Sequence, residues 1–351
     1  MGGSSSQRSA VSGQQGMSNL TPKTATPIAD GAAEMNRRSA LVCVVGAKGM
    51  LGQELMRAAS RGGNQRSAVS GRQEGGRGSA EYRVVGLDIE EIDITKPASV
   101  DAVMDELRPR LVFNAAAYTD VDGCESNQAT AMAVNAEGPA NLARACHRLG
   151  ARLVHVSTDY VFDGRKDSPY LPDDPVDPQS VYGRSKAEGE RVIREILTDY
   201  AIVRTSWLFA AGGKNFLKTI LKLAGERDEL RVVTDQVGRP TYAADLAQAL
   251  VEIGEHPAAG TQPPAVGSQR AMGARTCHFC NAGACSWFEF AAEIVRLSGK
   301  RCRVLPTTTA GFPRPAKRPA YSVLSTDSLE QEFGIRPRDW RAALAECLAK
   351  L

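Results

Sequence analysis

Apolar residues fall in short runs that alternate with longer amphipathic stretches over most of the chain. Residues 41–45 form an apolar run bounded by glycine, which predicts a buried strand, and a helical pattern follows over 50–59. The alternation continues with a strand at 82–87, a helix at 97–107 with Pro97 in its first turn, and a strand at 111–113. A helix at 129–149, a strand at 153–156, a helix at 185–197 and a strand at 201–203 come next. Repeated β-α-β units predict an α/β fold: a parallel, doubly wound sheet with helices on both faces. A strand at 277–281, a helix at 287–297 and a last helix at 340–351 predict a smaller second domain.

Three segments break this rhythm. Residues 1–38 are rich in Ser, Gly, Ala and Gln, lack the apolar core of a secretory signal, and read as a flexible tail. Gly2 and Ser6 fit a loose acylation pattern that so glycine- and serine-rich a stretch matches by chance. Residues 61–80 hold six glycines and four arginines with almost nothing apolar, and read as a mobile insertion. Within it, 65–71 repeats 7–13, a single copy that makes no structural repeat. Residues 255–275 read as a long surface loop.

Composition narrows the class. Of 351 residues, 42% are hydrophobic and 24% charged, enough to bury a sizeable core. Forty-three basic against 40 acidic residues argue against a nucleic-acid binder, and the apolar runs are too short for a membrane span. Eight scattered cysteines without an export signal read as reduced thiols in a cytoplasmic protein.

Gly46, Gly49 and Gly52 form a G-x-x-G-x-x-G turn between the first strand and first helix. Glycine there lets backbone amides approach a pyrophosphate at the positive end of a helix, although a triplet alone could be a tight turn. Asp88 ends the second strand, 42 residues past Gly46, or 22 once the insertion is removed, where an acid would hold a ribose. Tyr182 and Lys186, at i and i+4, share a helix face. An ordinary amphipathic helix gives the same spacing. Thr158, at the carboxyl end of the fourth strand, sharpens it, because a hydroxyl, a tuned phenol and an ammonium together can protonate an alkoxide.

These residues lie in blocks that carry a resemblance. GAKGMLG at 46–52, NAAAYT at 114–119, VNAEG at 134–138, STDYVFDG at 157–164 and YGRSK at 182–186 are five of them. RTSW at 204–207, DQVGRPT at 235–241 and RPAYS at 318–322 complete the set. From about residue 41 onward the chain resembles the dTDP-4-dehydrorhamnose reductases of the extended short-chain dehydrogenase/reductase group. The resemblance implies a Rossmann-type sheet with a smaller C-terminal nucleotide-sugar-binding domain, divided as 39–205 with 228–256 against 206–227 with 257–351. It also implies reduction of dTDP-4-dehydro-L-rhamnose to dTDP-L-rhamnose by NADH or NADPH.

In that reading Tyr182 donates the proton and Lys186 holds the nicotinamide ribose while tuning Tyr182. Thr158 binds the 4-keto oxygen, with Asp159 and Tyr160 beside it on the sugar. Met50, Leu51, Asp93, Ile94, Ala117, Tyr118, Thr119 and Val156 join Gly46, Gly49, Gly52 and Asp88 around the cofactor. Trp207 walls the sugar or is simply a half-buried core residue. Asn215 reaches the diphosphate or simply caps a helix, and Arg318 contacts substrate. Glu54 matches a carboxylate that binds magnesium between subunits in similar proteins, but Ala244 stands where a second glutamate is expected. That argues against magnesium, and leaves a monomer or homodimer. Asp88, with Glu90 and Glu91 close by and no arginine after the strand, favours NADH over NADPH.

Three other readings fit some of these residues. A nucleotide-sugar epimerase or dehydratase would share the loop and the Tyr/Lys pair. A non-catalytic subunit resembling that of methionine adenosyltransferase would share the fold. Cys277, Cys280, Cys285 and His278 could suggest a zinc knuckle, but no second ligand pair follows and the segment reads as a strand. Deleting 1–38 or 61–80 is expected to leave turnover within a small factor, checked by steady-state assay of each truncated chain. Loss of folding or a sharply raised cofactor KM on deleting 61–80 would make that insertion part of the site.

Overall fold

The computed structural model describes residues 40–62, 82–256 and 273–351; the expectations for the tail, for the insertion and for most of the 255–275 loop lie outside them. Strand β1 (Ala40–Val45) leads into helix α1 (Met50–Gly62), followed by β2 (Tyr82–Leu87), α2 (Pro97–Leu107) and β3 (Leu111–Asn114). Two short helices, α3 (Val121–Ser126) and α4 (Gln128–Met132), precede α5 (Gly138–Leu149), β4 (Arg152–Thr158), α6 (Val181–Ile196) and β5 (Tyr200–Thr205). Later elements are β6 (Leu208–Phe209), α7 (Phe216–Glu226), β7 (Glu229–Val233), β8 (Val237–Gly238), β9 (Thr241–Tyr242) and α8 (Ala243–Glu255). The chain closes with β10 (Ala274–His278), β11 (Cys285–Ser286), α9 (Trp287–Ser298), β12 (Arg303–Thr307), α10 (Asp327–Phe333) and α11 (Trp340–Leu348).

Six parallel strands form the main sheet in the order β10-β5-β4-β3-β1-β2. Because successive side chains point to opposite faces, each strand feeds two cores. Val42 and Val44 of β1 join Leu51 and Leu55 of α1 and Leu246 and Leu250 of α8 on one face. Cys43 and Val45 join Val100 of α2, Leu142 of α5 and Ile193 of α6 on the other. Burial on both faces explains the near-continuous apolar strands that the sequence displays. The strand order reverses between β1 and β3, and the crevice beyond their carboxyl ends is where ligands bind in such sheets.

Two boundaries differ from the sequence reading. The strand expected in the smaller domain, β10, pairs in parallel with β5 as the sixth strand of the main sheet, and it already includes Ala274 and Arg275. Conversely, β7 lies within 228–256 yet pairs with β12, and its Leu230 and Val232 enter a third core with Phe290 and Trp340. Alternating exposure along β7 marks a strand covered on one face only. The expected helix 129–149 is interrupted by a π turn at Ala133–Glu137. Pro139 has no N–H to donate to Asn135, four residues earlier, so the α-helical ladder cannot run through this point. Helix α6 begins four residues earlier than expected, because the Ser180 side chain accepts from the Gly183 N–H and caps it. Among the described residues, no helix is long and apolar enough to cross a membrane.

Helix α6 is fastened to β5 by a buried ion pair. Glu190 and Arg204 are 0% and 2% exposed, with Arg204 Nε and Nη2 donating to the two carboxylate oxygens at 2.8 and 2.7 Å. Burial pushes the Glu190 carboxyl up, but the guanidiniums of Arg204 and Arg194 overcome it and hold the group at about 2, below the ordinary 4.5. The sign is that of a depressed acid: the stabilisation is complete above about pH 4.5 and is lost as pH falls towards 2. Glu190→Gln should therefore cost about 3–5 kcal/mol near neutral pH, because it strands a buried guanidinium. Urea midpoints at pH 7 and pH 3 check this: the variant's loss should be large at the first and smaller at the second.

Candidate active site

The glycine turn is built as a tight wrap around the end of β1. Gly46 has φ +80°, outside the range of most side-chain-bearing residues, and a Cβ there would lie 2.7 Å from the Ala116 nitrogen. A Cβ on Gly52 would fall 2.0 Å from the Gly46 oxygen, so helix and loop approach as closely as backbone allows. The turn opens on a cleft of about 270 Å³ at the reversal of strand order. Gly46, Gly49, Asp88, Asp93, Ile94 and Ala117 all line it. Met50, Leu51 and Gly52 form the first turn of α1 behind it.

The carboxylates of the cleft are held in place. Asp88 accepts from the backbone N–H groups of Lys48 at 2.8 Å and Ile89 at 2.9 Å. Asp93 accepts from the Thr95 N–H and hydroxyl; that hydroxyl and the Lys96 ammonium hold its carboxyl below the usual range. Lys48, which the sequence reading passed over, sets its ammonium 2.7 Å from Glu90.

Tyr118 and Thr119 lie on the loop after β3, with Thr119 exposed. That loop is gripped by a residue to which sequence reasoning gave no role. Asn135, in the π turn, accepts from the Tyr118 N–H, donates to the Tyr118 carbonyl, and also donates to Ser185 Oγ in α6. The same amide thus spaces the cofactor loop from the helix that carries Tyr182 and Lys186. Its signal was present, since the VNAEG block stood out without a chemical reason attached.

At the carboxyl end of β4, Thr158 donates to Asp159 Oδ1 at 2.9 Å and accepts from the Tyr160 N–H at 3.2 Å. Burial pushes the Tyr182 phenol up, and its hydrogen bond with Thr158 works the other way. The Tyr160 ring meets the Tyr182 ring edge-on at 5.5 Å. Asp159 is buried and, by that burial, raised to about 6. Hydrogen bonds from Thr158 and Ser322 pull the other way on the same carboxyl. Lys186 is 2% exposed and burial lowers it to about 8; its Nζ donates to the Val156 carbonyl at 2.6 Å.

The smaller half brings in the remaining candidates. Arg318 donates through both terminal nitrogens to Asp122 at 3.0 Å, and Asp122 also accepts from Arg314 and from the Ala316 N–H. Asp122, unremarked in the sequence, thereby pins the 314–318 segment beside α3. Trp207 stacks on Trp287 at 3.6 Å, and a Cβ on Gly238 would sit 2.6 Å from its ring. Its φ of +48° is a strained conformation for a bulky residue. Asn215 caps α7 by accepting from the Lys218 N–H, while its amide donates to the carbonyls of Ala210 and Gly212. Both ends of that amide take part in the cap.

Other sequence features resolve into packing. Cys277, Cys280 and Cys285 belong to three separate cores, and burial raises all three thiols. Glu54 is paired with Arg57, and Ala244 packs against the third core. Among the described residues no group of three or more His, Cys, Asp or Glu could hold a metal ion.

A phenol and a hydroxyl in contact, beside a buried carboxylate and lysine, can hold an oxygen and give it a proton. Residues 40–351 match the family described as RmlD substrate binding domain. The chain is 41% identical over 307 residues to the Bacillus subtilis spore coat polysaccharide biosynthesis protein SpsK, covering 88% of this chain and 96% of that one. It is 43% identical over 311 residues to a dTDP-4-dehydrorhamnose reductase of Streptomyces griseus, covering 88% and 93%. A crystal structure of dTDP-4-dehydrorhamnose reductase from Bacillus anthracis in complex with NADP matches with a TM-score of 0.77 at 34% identity, covering 89% of this chain and all of the other. Fold, length and sequence agree, and the chain belongs to the RmlD substrate binding domain family.

Proposed function

We propose that this chain reduces the 4-keto group of dTDP-4-dehydro-L-rhamnose to give dTDP-L-rhamnose, using a nicotinamide cofactor. The observation that carries the reading is the gathering of Thr158, Tyr182 and the buried Lys186, whose Nζ donates to the Val156 carbonyl, at the carboxyl edge of the sheet beside the strand-reversal cleft. The relatives' names supply the substrate class.

The cleft fits a dinucleotide: glycine leaves the backbone bare where a pyrophosphate would lie, and Asp88 is pinned where a ribose would need an acceptor. When bound, the nicotinamide supplies the hydride. Thr158 and Tyr182 hold the keto oxygen, and Tyr182 gives it the proton. Lys186 contributes positive charge that lowers the phenol's pKa against the opposing effect of burial. Asp159 stands beside Thr158 on the sugar, its Oδ1 accepting from the Thr158 hydroxyl. Trp207 offers a ring edge to the sugar, and Arg318, oriented by Asp122, faces the substrate's negative charge.

We read the protein as cytoplasmic, since all eight cysteines are unpaired and buried. Magnesium has no part in this reading, because Glu54 is already paired and Ala244 has no carboxylate to offer. The described part of 39–205 together with α8 and β10 would bind cofactor, and the third core with its flanking strands would bind the sugar nucleotide.

Loss of NADH or NADPH absorbance with dTDP-4-dehydrorhamnose, compared with other keto-sugar nucleotides, tests the assignment. Turnover with a different sugar only would overturn the substrate; no turnover with any would overturn the activity. Tyr182→Phe should retain cofactor binding and lose ~10²–10⁴ in kcat, as expected for a general acid. Near-normal rates would remove Tyr182 from the chemistry. For cofactor choice, NADH should lead, since a 2′-phosphate would meet Asp88, and the Lys48 ammonium beside it is paired with Glu90. Values of kcat/KM with each cofactor should converge in Asp88→Asn, and a wild-type preference for NADPH would refute the role given to Asp88.

A further inference from the structure

His155 lies in β4, 0% exposed, between Asn114 of β3 and Lys186 of α6. Its Nδ1 is 3.0 Å from Asn114 Nδ2, and its Nε2 is 3.2 Å from Lys186 Nζ.

Hydrogen-bond accounting fixes where the protons are. Asn114 Oδ1 accepts from the Ala116 N–H at 3.1 Å, so the NH₂ end of the amide faces the imidazole. Nδ1 must then accept, and a neutral imidazole carries its proton on Nε2. An imidazolium would set donor against donor at Asn114, and burial together with Lys186 holds the ring's pKa well below its ordinary value. The Nε2–H therefore points at Lys186 Nζ. An ammonium has no lone pair to receive it; a neutral amine has one. The other bond of Nζ, to the Val156 carbonyl, suits either form.

We propose that His155 is a positioning residue whose Nε2–H favours the neutral amine of Lys186 in the free enzyme, so that cofactor binding draws a proton onto Lys186. The proton comes from solvent and goes to Nζ, which turns from the imidazole towards the ribose hydroxyls, and His155 keeps its own proton. This rests on the reading of Tyr182 and Lys186 as the proton-transfer pair. Glu190, one turn along α6, favours the ammonium, but its carboxylate is committed to Arg204 of β5 and Arg194 of α6. Asp159 and Cys124 act on Tyr182.

The experiment measures NADH affinity against pH for wild type, His155→Leu and His155→Gln, with proton uptake read by calorimetry in buffers of different ionisation enthalpy. Wild-type affinity should fall roughly tenfold per pH unit on the alkaline side, with a proton taken up on binding. In His155→Leu that fall should move up by about one pH unit, since the bond favouring the amine is gone. His155→Gln, which keeps an N–H at similar reach, should restore the wild-type profile. An unmoved profile in the Leu variant would reduce His155 to packing, and a downward move would mean that it accepts from an ammonium. Should that variant fail to fold, ¹⁵N spectra of the wild-type ring decide, because an Nδ1–H tautomer overturns the proposal. Neither readout needs the sugar substrate, so an inactive enzyme would sink the proposed reaction and leave this assignment to stand or fall separately.

Discussion

The contact between Glu190 and Arg204 sets the position of everything at the ligand edge of the sheet. A charge pair this deeply buried tolerates little change in geometry, because each partner's desolvation is offset only while the other is in place. Arg204 also donates to the Pro172 carbonyl and lies over the Phe162 ring at 4.9 Å. One guanidinium thus joins β5, α6, the chain beyond β4 and the loop at Pro172. Glu190 stands one helical turn past Lys186, so the pairing fixes the rotation of α6 about its own axis. Lys186 and Tyr182 inherit their directions from it.

The same desolvation shapes the chemistry. Burial raises the phenol of Tyr182 and lowers the ammonium of Lys186, so the free site is biased towards neutral groups. Asp159 is pushed in the same direction. A site whose charges are weakened by burial needs few counter-charges to remain folded. The glycine turn and the Asn135 clamp do different work, keeping backbone groups fixed in advance.

What the sequence showed depended on how local the cause was. Strands buried on both faces are continuous apolar runs, so β1, β3, β4 and β5 were readable within a few residues; the edge strand β2 was readable from its apolar residues, and the short helix α3 was not foreseen. Glycine spacing and the Tyr182/Lys186 pair were readable for the same reason. Partnership across the chain was not. The strands β7 and β10 are both five residues long, and only pairing, with β12 and with β5, separates their domains. Asn135 matters through Tyr118 and Ser185, 17 and 50 residues away, and His155 through Lys186, 31 away. No pattern of neighbours announces such contacts. Pro139 was the missed local sign: a proline inside an expected helix demanded a break, and the break is where Asn135 sits.

That break has a consequence for how this enzyme can diverge. A π turn holds one residue more than the α-helical turn it replaces, and it leaves the Asn135 carbonyl facing Gly189, where a Cβ would come within 2.2 Å of it. Removing one residue from the turn would swing all that precedes it by about 100° relative to α5, carrying the clamp away from Tyr118. Adding one would do the reverse. Side chains along this stretch are free to drift over generations while its length is frozen, so insertions and deletions that survive in descendants should fall elsewhere, in loops that hold nothing in register.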